Sequence, residues 1–195
     1  MREIENFYNF NIKNFKNSYK KNGWGSKISQ EKRFRVFCDI DNLNSSKILD
    51  LGCGTGDFNT YLKKKKIHVN YTGIDSNRNM INILKKKNIK CINQSIFNLK
   101  KFRNNSYDYI FLSGALNIPV INQNNKLFKL LKEMYRISKK GLAINFLSIY
   151  SDKINQKEFY MDPKDLVSIC HKISKKFIIR HDYLPHDFTL LLYKK

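Results

Sequence analysis

The chain has 195 residues, a formal net charge of +21 and a mean hydropathy of −0.53. Its 42% of hydrophobic residues excludes a wholly disordered chain. The length favours a single domain, with residues 1–40 as an N-terminal cap and residues 47–195 as the core. No apolar run is long enough to span a bilayer and no signal-peptide pattern is present, so we expect a cytoplasmic protein without a membrane partner.

The predicted elements follow in chain order. Helices are predicted over 3–16 and 27–39, with Ser26 as the N-cap of the second, and then over 57–66, 77–87, 122–139 and 163–175. Strands are predicted over 47–51, 69–75, 89–94, 107–113, 142–149, 177–184 and 188–193. This alternation predicts an α/β fold with a mostly parallel sheet. One of the last two strands must be antiparallel, because their link is too short for a crossover.

The positive charge favours anionic partners, because its field attracts phosphates and carboxylates alike. Lysine, asparagine and isoleucine are abundant and have A/T-rich codons, so genome composition explains part of this charge. A nucleic-acid substrate is less favoured on these grounds but stays open, and a small anionic molecule fits the field equally well. The four cysteines show no C-x-x-C spacing and no cysteine–histidine cluster, so we expect reduced thiols and no metal site.

The strongest local signal is a glycine-rich turn directly after the strand predicted over 47–51. The chain reads Asp50-Leu51-Gly52-Cys53-Gly54-Thr55-Gly56, and Asp75 ends the next predicted strand. Glycines there allow a tight turn and a close approach of backbone to a ligand, and a carboxylate at Asp75 can accept hydrogen bonds from ribose hydroxyls. A dinucleotide fingerprint would need a glycine at Asp57, and no phosphate-binding Gly-Lys-Ser/Thr follows. Asp50 suits a cationic ligand better than an anionic one.

These residues, with Tyr71-Thr72-Gly73-Ile74-Asp75-Ser76, resemble the first two motifs of class I S-adenosylmethionine-dependent methyltransferases. Similar in the same way to small bacterial members that are described generically as methyltransferases are the flanking segments Trp24-Gly25-Ser26, Gln30 with Arg33-Phe34, and Arg180-His181-Asp182-Tyr183-Leu184-Pro185. The resemblance implies a Rossmann-like fold: a seven-stranded, mostly parallel sheet with one antiparallel strand near its end, helices on both faces and an N-terminal helical cap. It also implies S-adenosylmethionine as the cofactor and S-adenosylhomocysteine as the product, but it names no acceptor.

The resemblance further implies where the cofactor lies. Its methionine and ribose parts are expected beside Gly52, Cys53 and Gly54, and its ribose hydroxyls on Asp75. The residues expected around the adenine and the transferred methyl are Ser76, Met80, Ser95, Ile96 and Ser113. Ser95 stands where the family often has an acidic residue for the adenine amino group.

Two residues of the predicted cap are further candidates for cofactor contacts. Trp24 is expected to fold over the cofactor, where an aromatic face would favour the sulfonium cation, or else to pack in the core. Arg33 is expected to pair with the cofactor's carboxylate, or else to be a surface charge.

Methyl transfer from a sulfonium requires alignment and a dry site, so no catalytic motif is obligatory. A base, where one is used, should lie at the carboxyl ends of the strands. The turn between the last two predicted strands lies there, which makes His186 the first candidate and His181 the second. Tyr150, Tyr160 and Tyr183 are predicted to bind the acceptor.

We therefore expect methyl transfer to oxygen or nitrogen of a small, anionic metabolite or biosynthetic intermediate. The stretch Ser113-Gly114-Ala115-Leu116 lacks the Asn/Asp-Pro-Pro-aromatic motif of base-amino methyltransferases and contains no cysteine for ring-carbon methylation. RNA methylation by other chemistry stays open. A non-catalytic S-adenosylmethionine-binding module, suggested by Ser95, also stays open. The sequence predicts neither the acceptor's identity nor the oligomeric state.

Overall fold

The computed structural model describes residues 2–119 and 122–194, which form seven helices and eight strands. The helices are α1 (Arg2–Asn14), α2 (Ser18–Lys21), α3 (Lys27–Cys38), α4 (Asp57–Lys64), α5 (Arg78–Lys86), α6 (Gln123–Ile137) and α7 (Pro163–His171). The strands are β1 (Lys47–Leu51), β2 (Asn70–Asp75), β3 (Cys91–Asn93), β4 (Tyr107–Leu112), β5 (Ser138–Ser148), β6 (Tyr160–Met161), β7 (Phe177–Leu184) and β8 (Asp187–Tyr193).

The strands form one sheet in the order β3-β2-β1-β4-β5-β8-β7, with β6 paired to β5. Strand β8 is antiparallel to both of its neighbours, and every other pairing in the described sheet is parallel. Leu147 of β5 pairs with Tyr160 on one side and with Asp187 on the other, so β6 continues the edge of β5 that β4 covers earlier. The predicted mostly parallel sheet with one antiparallel strand near its end is confirmed, with β6 as a short eighth strand.

Apolar side chains of the central strands alternate between two buried clusters on opposite faces of the sheet. Leu49 and Leu51 of β1 pack in the cluster that α6 and α7 cover, whereas Ile48 packs in the cluster of α3, α4 and α5. Successive side chains of a strand point to opposite faces, so the unbroken apolar sequence of β1 is buried on both sides. The helices on both faces confirm the predicted Rossmann-like layering.

The N-terminal helix α1 lies at the carboxyl edge of the sheet, whereas α3 packs on one of its faces. The Ser26 side chain accepts a hydrogen bond from the Ser29 amide, which makes Ser26 the N-cap of α3, as predicted. Asn9 of α1 accepts from the side chains of Asn77 and Asn79 at 2.9 and 3.0 Å, so α1 lies against the N-terminus of α5. Within the described parts of the chain, no helix combines the length and apolarity that crossing a bilayer requires.

Several element boundaries differ from the sequence prediction. Helix α6 ends at Ile137 and β5 begins at once at Ser138, because Ser138 is buried and pairs with Tyr107 of β4. The sequence analysis predicted that this strand starts at residue 142, because Lys139 and Lys140 do not fit the apolar pattern of a buried strand. Helix α2 and strand β6 were not predicted, because elements of two to four residues show no hydrophobic period.

Candidate active site

The carboxyl ends of β1, β2 and β4 meet at one edge of the sheet, where the glycine-rich turn follows β1. The amides of Gly52 and Cys53 both donate to the carbonyl of Ile74, at 2.8 and 3.0 Å, and hold the turn on β2. Gly54 has a φ of +52°, and a Cβ there would lie 2.3 Å from Oδ1 of Asn22. Glycine at this position therefore lets the backbone of the turn lie at the edge where open α/β sheets bind ligands.

Asp75 ends β2 beside this turn. Its Oδ2 accepts from the Gly54 amide at 2.9 Å and its Oδ1 accepts from the Asn77 amide at 2.8 Å. These bonds fix the carboxylate plane, and each oxygen keeps lone-pair capacity that a ligand hydroxyl can use. Burial raises the pKa of Asp75, and the two backbone bonds oppose that rise. Tyr8 of α1 is close by: burial, followed by the charge of Asp75, raises the pKa of Tyr8 to about 12.

Asp50 is buried in β1 at the base of the turn. Tyr71 of β2 donates to its Oδ2 at 2.6 Å. Burial raises the pKa of Asp50 to about 7; the Tyr71 bond opposes the rise, and the charges of Asp75 and Asp57 add to it. Three carboxyl groups thus lie around the turn, an arrangement that favours a cationic over an anionic part of a ligand.

Cys53 offers its backbone rather than its thiol to this edge. Its Sγ lies against Gly73 of β2, where a Cβ would be 2.6 Å away. Burial, followed by the charges of Asp50 and Asp75, raises the pKa of the Cys53 thiol well above its ordinary value. The thiol is therefore neutral and packs as an apolar group.

The residues predicted to border the adenine lie on two neighbouring loops. After β2, Ser76 is exposed, and Asn77 caps α5 by accepting from the amides of Asn79 and Met80 at 2.9 and 3.1 Å. The Met80 side chain itself is buried. Asn93 of β3 joins the two loops, because its Nδ2 donates to the carbonyls of Asp75 and Ser76, both at 3.0 Å.

The second of these loops follows β3. Ser95 is exposed, and its Oγ accepts from the Phe97 amide at 3.3 Å. Ile96 is half-buried and packs against the core. The adenine contacts of Ser95 and Ile96 stay predictions.

Asn22, which follows α2, ties the cap to the glycine turn. Its Nδ2 donates to the Thr55 hydroxyl and to Oδ2 of Asp57, both at 3.0 Å, and its Oδ1 accepts from the Thr55 amide at 3.0 Å. Gln30 of α3 also donates to Asp57, at 3.0 Å. Asp57, which occupies the third glycine position of a dinucleotide fingerprint, therefore serves here as the anchor of the cap.

Trp24 lies over the segment that follows β4. Gly114 has a φ of +72°, and a Cβ there would lie 2.7 Å from the Trp24 ring. The guanidinium carbon of Arg33 lies 4.5 Å from the ring centroid, in cation–π geometry. Trp24 is thus part of the lid over this edge, and its contact with a sulfonium stays a prediction.

Arg33 and Tyr183 take roles that differ from the predicted ones. Arg33 donates through Nε and Nη2 to Oδ2 of Asp187 at 2.7 and 2.6 Å, and through Nη1 to the Ser29 hydroxyl at 2.6 Å. Tyr183, predicted to bind the acceptor, is only 7% exposed, and its hydroxyl bonds to Asp187 and Thr189. The physical reason is the same for both, because a carboxylate buried as fully as Asp187 requires compensating donors. The positive charge of Arg33 is thereby balanced within the protein rather than left for a ligand carboxylate.

Ser113 directly follows β4, and its buried hydroxyl has no hydrogen-bond partner among the described residues. The next amide, that of Gly114, donates to Oδ1 of Asn145 in β5 at 3.1 Å. Asn145 in turn donates to Oδ1 of Asp187 at 3.4 Å. Buried hydroxyls are nearly always satisfied, so the Ser113 hydroxyl is the group at this edge that a bound ligand would complete.

His186 lies in the turn between β7 and β8, at the carboxyl edge, as predicted. The amide of Ser148, at the end of β5, donates to its carbonyl at 3.1 Å. Burial, followed by the charge of Arg33, lowers the pKa of His186 below its ordinary value of 6.5, so the ring is mostly neutral at pH 7. His181 is exposed, and its ring packs edge-on against Phe188 with 5.8 Å between centroids. That either histidine acts as a base stays a prediction.

The other two tyrosines predicted to bind the acceptor flank the loop between β5 and β6: Tyr150 lies at its start and Tyr160 begins β6. Tyr150 is 54% exposed. The Tyr160 hydroxyl accepts from the Asn155 amide at 3.0 Å and donates to Glu158 at 3.0 Å, so it holds the loop on itself. The Phe159 amide donates to the carbonyl of Asn117 at 2.7 Å and ties the loop to the segment after β4.

Three residues that organise this edge were missed in the sequence: Tyr8, Asn22 and Asn145. Asn145 is the polar residue within the otherwise apolar residues 142–147 of β5, a pattern that indicates a buried hydrogen bond. Asn22 precedes Gly23 and Trp24 in a predicted turn, and this turn was the one sequence pattern that marked Asn22 as a structural residue. No sequence pattern marked Tyr8, because nothing near it in the sequence shows where α1 packs.

Known proteins resemble the chain in both sequence and fold. A family model described as a methyltransferase domain matches residues 48–141, from β1 into β5. The magnesium protoporphyrin IX methyltransferase of Synechocystis PCC 6803, solved with bound SAH, has the same fold, with a TM-score of 0.69 at 11% identity over 100% of this chain and 99% of that one. A protein of Mycobacterium tuberculosis named as a methyltransferase is 29% identical over 154 residues, which cover 75% of this chain and 92% of that protein.

The comparisons support a class I S-adenosylmethionine-dependent methyltransferase, with the family model covering residues 48–141. This enzyme is also 34% identical over 116 residues to the demethylmenaquinone methyltransferase of Staphylococcus aureus, a match that spans 56% of this chain and 45% of that protein. The match thus covers less than half of that relative. S-adenosylmethionine is the cofactor of the methyltransferase.

The described residues of the methyltransferase fit this cofactor. Asp75 offers a fixed carboxylate to ribose hydroxyls, and the negative charge around the glycine turn suits a ligand that carries an ammonium and a sulfonium. The Ser113 hydroxyl has a hydrogen-bonding capacity that the protein leaves unused. When bound, S-adenosylmethionine supplies an electrophilic methyl group.

Proposed function

We propose that this methyltransferase acts on oxygen or nitrogen of a small, anionic metabolite or biosynthetic intermediate. The observation that carries the proposal is the closed carboxyl edge. Asn22 covers the glycine turn and Trp24 covers Gly114. The cap therefore encloses the site at which a methyl group would be transferred. An enclosed site suits a small acceptor better than a long polymer.

The charge and the relatives support the same acceptor class. The net charge of +21 raises the local concentration of carboxylates and phosphates. The names of two similar proteins, demethylmenaquinone methyltransferase and magnesium protoporphyrin IX methyltransferase, state small organic acceptors for those proteins. Both names favour a small molecule over RNA here.

In this proposal each residue of the edge has one task. Asp75 orients the cofactor through its ribose. Trp24 and the rest of the cap exclude water from the transfer edge. His186, neutral at pH 7, receives the proton that leaves the acceptor's hydroxyl or amino group as the new bond to carbon forms.

The test is transfer of a labelled methyl group from S-adenosylmethionine to fractions of a cell extract. We expect label in the small-molecule fraction, in particular in species that bind an anion exchanger, and none in the RNA fraction. The Asp75→Ala variant is the control and should abolish labelling at low cofactor concentration. Label in RNA alone, or in no fraction while the cofactor binds tightly, would contradict the proposal.

A further inference from the structure

Arg33 and Asp187 form a buried ion pair that joins the cap to the last strand of the sheet. The residues are 2% and 0% exposed, and two nitrogens of Arg33 reach the same carboxylate oxygen. Removing two charges from water costs several kcal/mol per ion, so a buried pair contributes little net stability compared with apolar packing. The pair is better explained by what it holds in place.

Each partner holds one further part of the transfer edge. On the cap side, the Arg33 guanidinium lies 4.5 Å from the Trp24 ring centroid, and Trp24 rests on Gly114. On the sheet side, Asp187 accepts a hydrogen bond from the side-chain amide of Asn145. The Oδ1 of Asn145 in turn accepts a hydrogen bond from the Gly114 amide. The contacts therefore form a closed ring that starts and ends at Arg33 and passes through the residue next to Ser113.

We propose that Arg33 is the positioning residue of methyl transfer: its pair with Asp187 docks the cap and thereby sets Trp24, Gly114 and His186 in their places at the carboxyl edge. Only the link between this role and catalysis rests on the proposed function. The docking itself can be measured without an acceptor.

The charges around His186 show how docking reaches the imidazole. Arg33 and Lys32 face it from α3, Asp187 adjoins it on β8, and Glu158 faces it from the loop before β6. Burial and the positive charge of Arg33 lower the pKa of His186, while the two carboxylates raise it. Loss of Arg33 removes its lowering influence on the pKa of His186, while the two carboxylates remain.

The single tryptophan of the chain reports directly on docking. We expect Arg33→Met to expose Trp24, with a red-shifted emission and at least a two-fold rise in acrylamide quenching. Hydrogen exchange at the Gly114 amide should accelerate at least ten-fold. Arg35→Met is the matched control, since Arg35 is an exposed arginine of the same helix, and it should leave both signals at their wild-type values.

The imidazole signals give a second readout that structural packing alone would not change. In NMR titrations of ¹⁵N-histidine-labelled protein, the pKa of His186 should lie below 6.5 in wild type and Arg35→Met, and should be higher in Arg33→Met than in either. Arg33→Lys keeps the charge without the two-nitrogen contact and should give intermediate values for all three signals. If Arg33→Met fails to fold because Asp187 is left unpaired, the double variant Arg33→Met/Asp187→Asn replaces it with the same expectations for Trp24 and Gly114.

Wild-type values in Arg33→Met or the double variant would overturn the proposal, as would a freely quenched Trp24 in the wild type. Failure of wild-type protein to bind S-adenosylmethionine would instead refute the proposed function and leave the docking result intact.

Discussion

The hydroxyl of Tyr71 on β2 donates a 2.6 Å hydrogen bond to the buried carboxyl group of Asp50 on the adjacent strand β1. Within the described part of the chain, this bond opposes the effect of burial, which raises the pKa of Asp50 to about 7. Asp50 therefore changes its charge near neutral pH, directly below the glycine turn.

Asp50 should make the protein less stable as the pH rises. A carboxyl group with a raised pKa holds its proton more tightly in the folded than in the unfolded state, so its contribution is full below pH 4 and is lost as the pH rises to about 7. In Asp50→Asn, the free energy of unfolding should fall less steeply over that range, by up to about 1.4 kcal/mol per pH unit. Urea denaturation at several pH values measures this difference. The exposed Asp152→Asn is the control, and a wild-type slope in Asp50→Asn would contradict the assignment.

Asp75→Ala should weaken S-adenosylmethionine binding. In the proposed binding mode the variant removes charge-assisted hydrogen bonds to the ribose, and we expect a loss of ~1–3 kcal/mol in binding free energy by isothermal titration calorimetry. Glu133→Ala, near the opposite end of the sheet on α6, removes an acidic residue without touching the site and should bind as wild type. Equal affinity of Asp75→Ala and Glu133→Ala would rule out Asp75 as the ribose ligand.

His186→Ala should slow methyl transfer to the acceptor that the labelling experiment identifies. Loss of a general base typically lowers the rate ~10²–10⁴-fold, while cofactor affinity stays unchanged. Because the pKa of His186 is lowered, the acid limb of the wild-type rate profile should lie below pH 6.5. His181→Ala tests the second candidate base, and His171→Ala, at the end of α7, is the control. Near wild-type rates in His186→Ala, His181→Ala and the double variant would mean that alignment alone drives the reaction.

Asn22→Ala should loosen the cap over the glycine turn. The variant removes three hydrogen bonds to Thr55 and Asp57, and we expect a loss of ~1–3 kcal/mol in local stability. Hydrogen exchange resolved by peptide should accelerate in residues 2–30 and not in β4 or β5. Asn14→Ala is a fair comparison, because the Asn14 side chain donates to the Phe10 carbonyl of its own helix and not to the glycine turn. Identical exchange in both variants would show that Asn22 does not hold the cap.

The sequence predicted the parts of this molecule that depend on local pattern. Strand β1 was predicted with its observed bounds, because an apolar run ending in glycines is unambiguous. The turn at His186 was placed at the correct edge, because a short link forces the last two strands to be antiparallel. Arg33 shows where local pattern fails: its partner Asp187 lies 154 residues away, and only docking of α3 on the sheet brings the two together.

The reversed strand β8 has a consequence for how the acceptor range of such an enzyme can change. The β7–β8 hairpin brings the chain to the carboxyl edge and away again within the two residues between Leu184 and Asp187. Residues added at this tip would project over the site while the flanking strands keep their pairing, since loop tips accommodate insertions at little free-energy cost. Under the proposed function, acceptor preference can therefore diverge at one short loop without a change in the strands that hold the glycine turn.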